Sequence, residues 1–184
     1  MSTTKVVTGK VRLSYVHLFE QYSINGSELK YSTAILIPKK DKDTLKKIKA
    51  AQAAAAEAGK EKFNGKVPTN LSTTLRDGDE DQDTVANPEY AGHFYMNVSS
   101  KTKPSVVDRD MNAILDAGEV YSGCYARVSL NFFAYNTAGN KGISAGLNNV
   151  QKLADGDPLG GVGSSAEDDF SDDLDDEGDD DLLD

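Results

Sequence analysis

Three aromatic rings, one guanidinium and two small hydrogen-bonding groups alternate along residues 123–135, GCYARVSLNFFAY. If this run is extended, Tyr125, Arg127, Ser129, Asn131, Phe133 and Tyr135 share one face. Cys124, Ala126, Val128, Leu130, Phe132 and Ala134 share the other. Side chains of a strand point to opposite faces with period two, so the apolar set suits a core and the aromatic set faces outward. An ordinary solvated face carries Lys, Glu and Thr, and large rings there are costly unless something covers them. Rings beside an arginine suit a single-stranded nucleic acid, because unpaired bases stack on aromatic faces and phosphates pair with cations. Coverage of Phe133 and Tyr135 by another part of the chain, such as a helix, is the competing reading.

Other chemistry-bearing residues narrow the field. Cys124 is the lone cysteine and lies in the apolar set, where it reads as a small buried hydrophobe. With one Cys and two His (His17, His93), a transition-metal site is not credible. Asp77, Asp79, Asp81 and Asp83 are spaced like the start of a calcium loop. The glycine is misplaced, however, and Pro88 stands where a bidentate Glu is needed, so the stretch reads as an exposed acidic loop. A metal-dependent nuclease built on these acids is the only enzyme the residues allow. The chain contains no GxxxxGK[ST], no GxGxxG before a helix, no HExxH and no GxSxG. We expect no enzymatic activity and no cofactor.

Charge divides the chain in two. Up to Asp157, 20 basic residues face 18 acidic ones, whereas residues 167–184 hold 12 acids and no base. A mildly basic body is thus tethered to a polyanion, which the whole-chain net charge of −10 conceals. No stretch approaches the ~20 apolar residues of a membrane span. The N-terminus lacks an apolar signal segment, so a cytoplasmic protein is expected, with no membrane contact.

The elements that must position these residues follow from pattern. Residues 5–19 alternate as a strand with Lys10 and Arg12 on its outer face and Gly9 at a bulge. Tyr15, Phe19 and Tyr22 crowd its end, and Asn25-Gly26 signals a tight turn into a second strand at 30–37. Residues 10–37 therefore read as a hairpin. Capped by Asp41 or Asp43, residues 41–62 repeat Leu45, Ile48, Ala51 and Ala55 at helical spacing, with Gly59 as the stop. Its lysines form either a solvated face or the flank of a nucleic-acid groove. A third strand at 92–99 places Phe94, Met96 and Val98 inward and Tyr95 outward. Lys101 and Lys103 lie beside a short extended segment, and 143–152 is the closing strand. Short strands, one early helical insertion and glycine-rich connections predict a mainly β fold: a small closed β-barrel of the OB type. Residues 1–154 form this domain, 155–166 a flexible linker and 167–184 a disordered acidic tail. Phe170, Leu182 and Leu183 punctuate the acid and read as anchors for protein partners.

The segments SKTKPSVVD (100–108), YSGCYARVSLNFFAYNTAGNKGISAGLNNVQK (121–152) and DGDPLGG (155–161), with LRDGD at 75–79, resemble a tailed-phage family of single-stranded DNA-binding proteins. The resemblance implies an OB-fold domain that coats single-stranded DNA without sequence preference in phage replication or recombination, and a mobile acidic tail. It also implies a place in the host bacterial cytoplasm. Applied to this chain, it favours Tyr125, Arg127, Phe133 and Tyr135 as DNA contacts, while Lys10, Arg12, Tyr95, Lys101 and Lys103 rest on the residue pattern alone. The tail is expected to compete with DNA and to recruit phage or host replication and recombination proteins. It ends DDDLLD, with leucines in place of the terminal Phe of better-known relatives. A homodimer is left open. The rival to DNA binding is a protein–protein adaptor or chaperone with an aromatic interface and a tail that mimics nucleic acid.

Overall fold

A computed structural model describes residues 4–23, 26, 28–69, 71–137 and 139–159. Among these, the elements in chain order are β1 (Lys5–Val7), β2 (Val11–Tyr22), β3 (Lys30–Pro38), α1 (Lys42–Ala58), β4 (Ser72–Thr73), β5 (Arg76–Asp77), α2 (Gly78–Asp81), β6 (His93–Ser100), β7 (Ser105–Val107), β8 (Tyr125–Thr137) and β9 (Asn140–Ala154). Five long strands close on themselves. β2 pairs antiparallel with β3, and β3 with β6. β6 meets β9 in parallel at Ser99 and Gly146. β9 pairs antiparallel with β8 along nearly its whole length, and β8 returns to β2 where Val11 faces Ala126. β1 continues the β2 side of the barrel, pairing Val6 with Leu130. This is the strand order of an OB-fold, with α1 inserted between its second and third long strands.

β8 is the wall on which the core is built. Cys124, Ala126, Val128 and Leu130 are fully buried and Phe132 nearly so, while the residues between them stay half or fully exposed. The alternation read from the sequence is the alternation of the strand. α1 packs on β8, β1 and β9 through Leu45, Ile48, Ala51 and Ala55, and its lysines 42, 46, 47 and 49 are exposed. Asp41 is the cap, accepting from Thr44 N at 3.2 Å and from Thr44 Oγ1 at 2.7 Å. Gly9, between β1 and β2, lets this helix start approach the strand. Its N–H donates to Thr44 Oγ1 at 2.9 Å, and a Cβ would stand 2.8 Å from an Asp41 carboxylate oxygen.

Two stretches differ from the sequence reading. The acidic run is not a free loop. Lys39 Nζ lies 2.7 Å from both Asp77 and Asp79, and Asp77 caps the short α2. Hydrogen bonding to that ammonium holds both carboxyls below the usual carboxylate range and raises the lysine. The excursion folds back beside β3 and β6, where Lys39 N donates to Gly92 O at 2.9 Å. Residues 33–37 of β3 are consequently buried on both faces and show no alternation.

The second difference lies after β9. Residues 155–159, linker-like in composition, are docked on the barrel. Arg12 Nη2 donates to Asp157 O at 2.7 Å, and Leu159 is buried with its N–H on Ser122 O at 3.0 Å. Gly123 has φ +118°, and a Cβ there would collide with the Asp157 carbonyl. The rest of the linker, and Phe170, Leu182 and Leu183, lie outside the described residues. No helix among the described residues is long and apolar enough to cross a membrane.

Candidate functional site

β2 is irregular where it passes beyond β8. Its register against β3 shifts between Ser14 and His17, and again between His17 and Tyr22. Tyr15 takes φ +49°, a left-handed value that costs a non-glycine residue roughly 1–2 kcal/mol. Strict alternation would place Tyr22 on the face opposite Tyr15 and His17. The two shifts instead bring all three rings to one cleft of about 700 Å³. Ser32 and Ala34 of β3, and Asn97 and Ser99 of β6, line it next to them. Gln82, Tyr90 and Tyr95 line it from the excursion and β6, Glu28 from the β2–β3 connection and Lys30 from the start of β3. A recess of this size falls in the ordinary range of ligand sites, ~300–1,000 Å³.

The rings are held in defined poses. His17 and Tyr22 stack face to face, with centroids 4.0 Å apart and planes 5° from parallel. Tyr90 and Tyr95 meet edge to face at 5.0 Å and 78°. Gln82 Nε2 donates to the Tyr95 hydroxyl at 3.0 Å, and that hydroxyl donates to Asp81 at 3.2 Å. Tyr15 and Tyr22 remain 60% and 48% exposed, so each offers open ring surface. Burial lowers the His17 pKa, which keeps the imidazole neutral at pH 7 and favours its role as a flat platform. Burial also pushes the Tyr90 hydroxyl up to about 12, so it stays a donor. Cations stand nearby: Lys30 in the lining, Lys101 paired with Glu28 at 3.1 Å, and Lys103 5.9 Å from the Phe19 ring. The Lys101–Glu28 pair is exposed on both sides and opens at little cost.

The nine residues expected to contact DNA are brought to three places. Tyr95 lines the cleft, Lys101 pairs with Glu28 of its lining, and Lys103 stands over Phe19, a β2 ring that packs toward the core. Lys10, Arg12 and Tyr125 form a second cluster, with Lys10 Nζ 4.7 Å and the Arg12 guanidinium carbon 5.6 Å from the Tyr125 ring centre. Arg12 is engaged within the chain, donating to Gly123 O at 3.1 Å and to Asp157 O. Arg127, Phe133 and Tyr135 lie on the outer face of β8. Tyr135 folds over Gly142, where a Cβ would stand 2.6 Å from its hydroxyl, and is half-buried. Phe133 is 46% exposed.

Sequence reasoning missed Tyr15, His17, Tyr22 and Tyr90 as a site. The signal present was the crowding of rings between Tyr15 and Tyr22. Only the register shifts turn that crowding into one surface.

The arrangement binds rather than reacts. Open rings suit flat aromatic groups, the Ser, Asn and Tyr side chains supply hydrogen bonds, and the lysines attract anions. Among the described residues, no cluster of His, Cys, Asp or Glu is placed to hold a metal. Asp77 and Asp79 are both committed to Lys39.

A family model described as the single-stranded DNA-binding protein of Enterobacter phage Enc34 matches residues 4–183. Protein p50 of Acyrthosiphon pisum secondary endosymbiont phage 1 is 34% identical over 176 residues, 91% of this chain and 93% of that protein. Among solved structures, the single-stranded DNA-binding protein from bacteriophage Enc34 in complex with single-stranded DNA superposes with a TM-score of 0.75 at 27% identity, over 85% of this chain and 90% of that one. The single-stranded DNA-binding protein gp2.5 of bacteriophage T7 gives 0.60 at 16% identity, over 91% and 93%, a likeness of fold alone.

Proposed function

The chain belongs to the family of the Enterobacter phage Enc34 single-stranded DNA-binding protein, and from that membership we propose that it binds unpaired DNA in phage replication or recombination. It does so through the tyrosine cleft and without sequence preference. The observation that carries this reading is the set of open rings on the β2–β3–β6 face, the face that OB-folds use for oligonucleotides. Bases stack on Tyr15 and on the His17–Tyr22 pair, a contact open to every base because each has a π-face. Phosphates run past Lys30, Lys101 and Lys103, and the strand continues toward Lys10, Arg12 and Tyr125. Paired bases cannot present their faces to these rings. Single strands should therefore bind far more tightly than a duplex of equal length in a mobility-shift assay. Equal affinity for the duplex contradicts the reading. Log affinity should fall linearly with log salt, with a slope of about −0.7 for each phosphate neutralised. A slope near zero points instead to the adaptor reading.

The tail belongs to the same proposal. Twelve carboxylates follow a chain that leaves the described domain at Leu159, hydrogen-bonded to Ser122. Ser122 Oγ in turn accepts from Val16 N at 3.2 Å, next to Tyr15. Tethering at this point gives the acids a high effective concentration near the cleft, where they compete with phosphates for the same cations. The competition is modest, because carboxylates offer no stacking and are screened over ~10 Å at 0.1 M salt. Deleting residues 162–184 should tighten single-strand binding, most at low salt. An unchanged or weaker affinity at low salt removes the competition from the account. Displaced by DNA, the tail presents Phe170, Leu182 and Leu183 to replication or recombination proteins.

A further inference from the structure

We propose that the outer face of β8, flanked by β1 and β9, is a second lane for single-stranded DNA, used when a strand longer than the cleft can hold continues around the barrel. This rests on the single-strand reading of the cleft. β1, β8 and β9 contain no Asp or Glu, although acids make up 30 of the 184 residues. Lys5, which pairs with Asn131, and Arg127 share the outer face, whereas Lys141 and Lys152 pair with Asn136 and Ala126 and belong to the other face. The nearest carboxylate at the β7 end, Asp108, is turned to its own loop, accepting from Asp110 N and Asn112 N at 2.9 Å each. The outward positions of these strands thus present no carboxylate to a polyanion, and Asp155, just past β9, is paired with Lys152 at 2.6 Å.

The lane also has a stacking platform. Phe133 lies beside Gly146, whose missing Cβ would sit 3.5 Å from the ring edge, and the side chain remains 46% exposed. Asn131 faces Gly146, and Ser129 faces Asn149, so the surface between Phe133 and Arg127 offers small hydrogen-bonding groups and no bulk. These two residues are six apart, roughly 20 Å along the strand. Arg127 itself is exposed and holds only long contacts, 3.5 Å to Thr8 O and 3.4 Å to Gln151 Oε1. A protein partner needs a larger apolar centre than Phe133 and Val7 supply. Between the lane and the cleft stand Arg12 and Tyr125, against which residues 156 and 157 dock. Arg12 pairs with Tyr125, and Tyr15 follows three residues later, about 10 Å along β2.

The test is strand length. Full-length protein is titrated with an oligo-dT of about 6 nucleotides, at the low end of the ~4–16 nucleotides one OB-fold holds, and with one of about 30, well above it. Two variants are compared with the natural chain. One is Phe133→Ala with Arg127→Ala; the other, Asn149→Glu, places a carboxylate on the exposed face. Both should keep short-strand affinity within about twofold and lose about tenfold or more on the long strand, with fewer nucleotides covered per protomer. Unchanged long-strand affinity in both variants overturns the lane. Equal loss at both lengths overturns it as well, since the face would then act on the cleft or the fold. If the natural chain binds neither length, the single-strand reading itself fails, a result distinct from failure of the lane.

Discussion

Tyr15→Ala and Tyr22→Ala should each lower affinity for oligo-dT by ~1–3 kcal/mol, a factor of about 5 to 150. Each removes an open ring from the cleft. Neither removes much of the core, because both side chains are largely in solvent. Tyr15→Gly sharpens the test. Glycine accepts φ +49° without steric cost, so the strain at this position disappears together with the ring. Thermal stability should hold or rise while binding falls. That opposition separates a residue kept for contact from one kept for folding, and it follows from strain being tolerated where function needs the geometry. Anisotropy titrations of labelled oligo-dT, with melting curves of the same samples, read both quantities. Affinity within twofold of the natural chain for all three variants would place the DNA elsewhere on the barrel. The two tyrosines share a surface through His17, so the double variant need not show the sum of the single losses.

Phe132 and Phe133 are neighbours with opposite expected outcomes. Phe132 is 1% exposed and lies in the centre of the core, so Phe132→Ala should cost ~3–5 kcal/mol of stability. Phe133 is 46% exposed, and Phe133→Ala should cost less than about 1 kcal/mol. Urea unfolding followed by circular dichroism gives both values. A large loss at Phe133 with a small one at Phe132 would invert the faces of β8 and with them the barrel interior.

The contrast between these residues was legible in the sequence, whereas the cleft was not. β8 is paired along most of its length with β9, and the two register shifts of that pair put the extra residues, Asn148 and Leu153, on β9, so period-two alternation survives on β8 from Cys124 to Tyr135. β2 carries two register shifts in its second half, and each one exchanges the faces of all residues beyond it. Tyr15, Phe19 and Tyr22 were visible as a crowd of rings, but the surface that Tyr15 and Tyr22 share with His17, and Phe19 does not, depends on where β3 lies. β3 lost its alternation because a distant segment covers its second face. The acids of 76–83 stay largely in solvent, as their sequence suggests, but the tie of Asp77 and Asp79 to Lys39, nearly forty residues earlier, has no local signal. The docking of residues 155–159 depends on the bare backbone at Gly123 and on Arg12, contacts between positions more than thirty residues apart. Local pattern reports what a residue's neighbours in sequence impose, and these three features are imposed by neighbours in space.

The central claim is that unpaired bases stack on tyrosines of the cleft. The chain has 8 Tyr and no Trp, so its intrinsic emission is tyrosine emission, and four of those rings, Tyr15, Tyr22, Tyr90 and Tyr95, line the cleft. The decisive measurement is a titration of that fluorescence with oligo-dT and, separately, with duplex of the same length. The account predicts saturable quenching by the single strand, little by the duplex, and a clearly smaller quench when Tyr15 and Tyr22 are both alanine. Saturable binding by the single strand with no change in tyrosine emission, or equal quenching by the duplex, would contradict it.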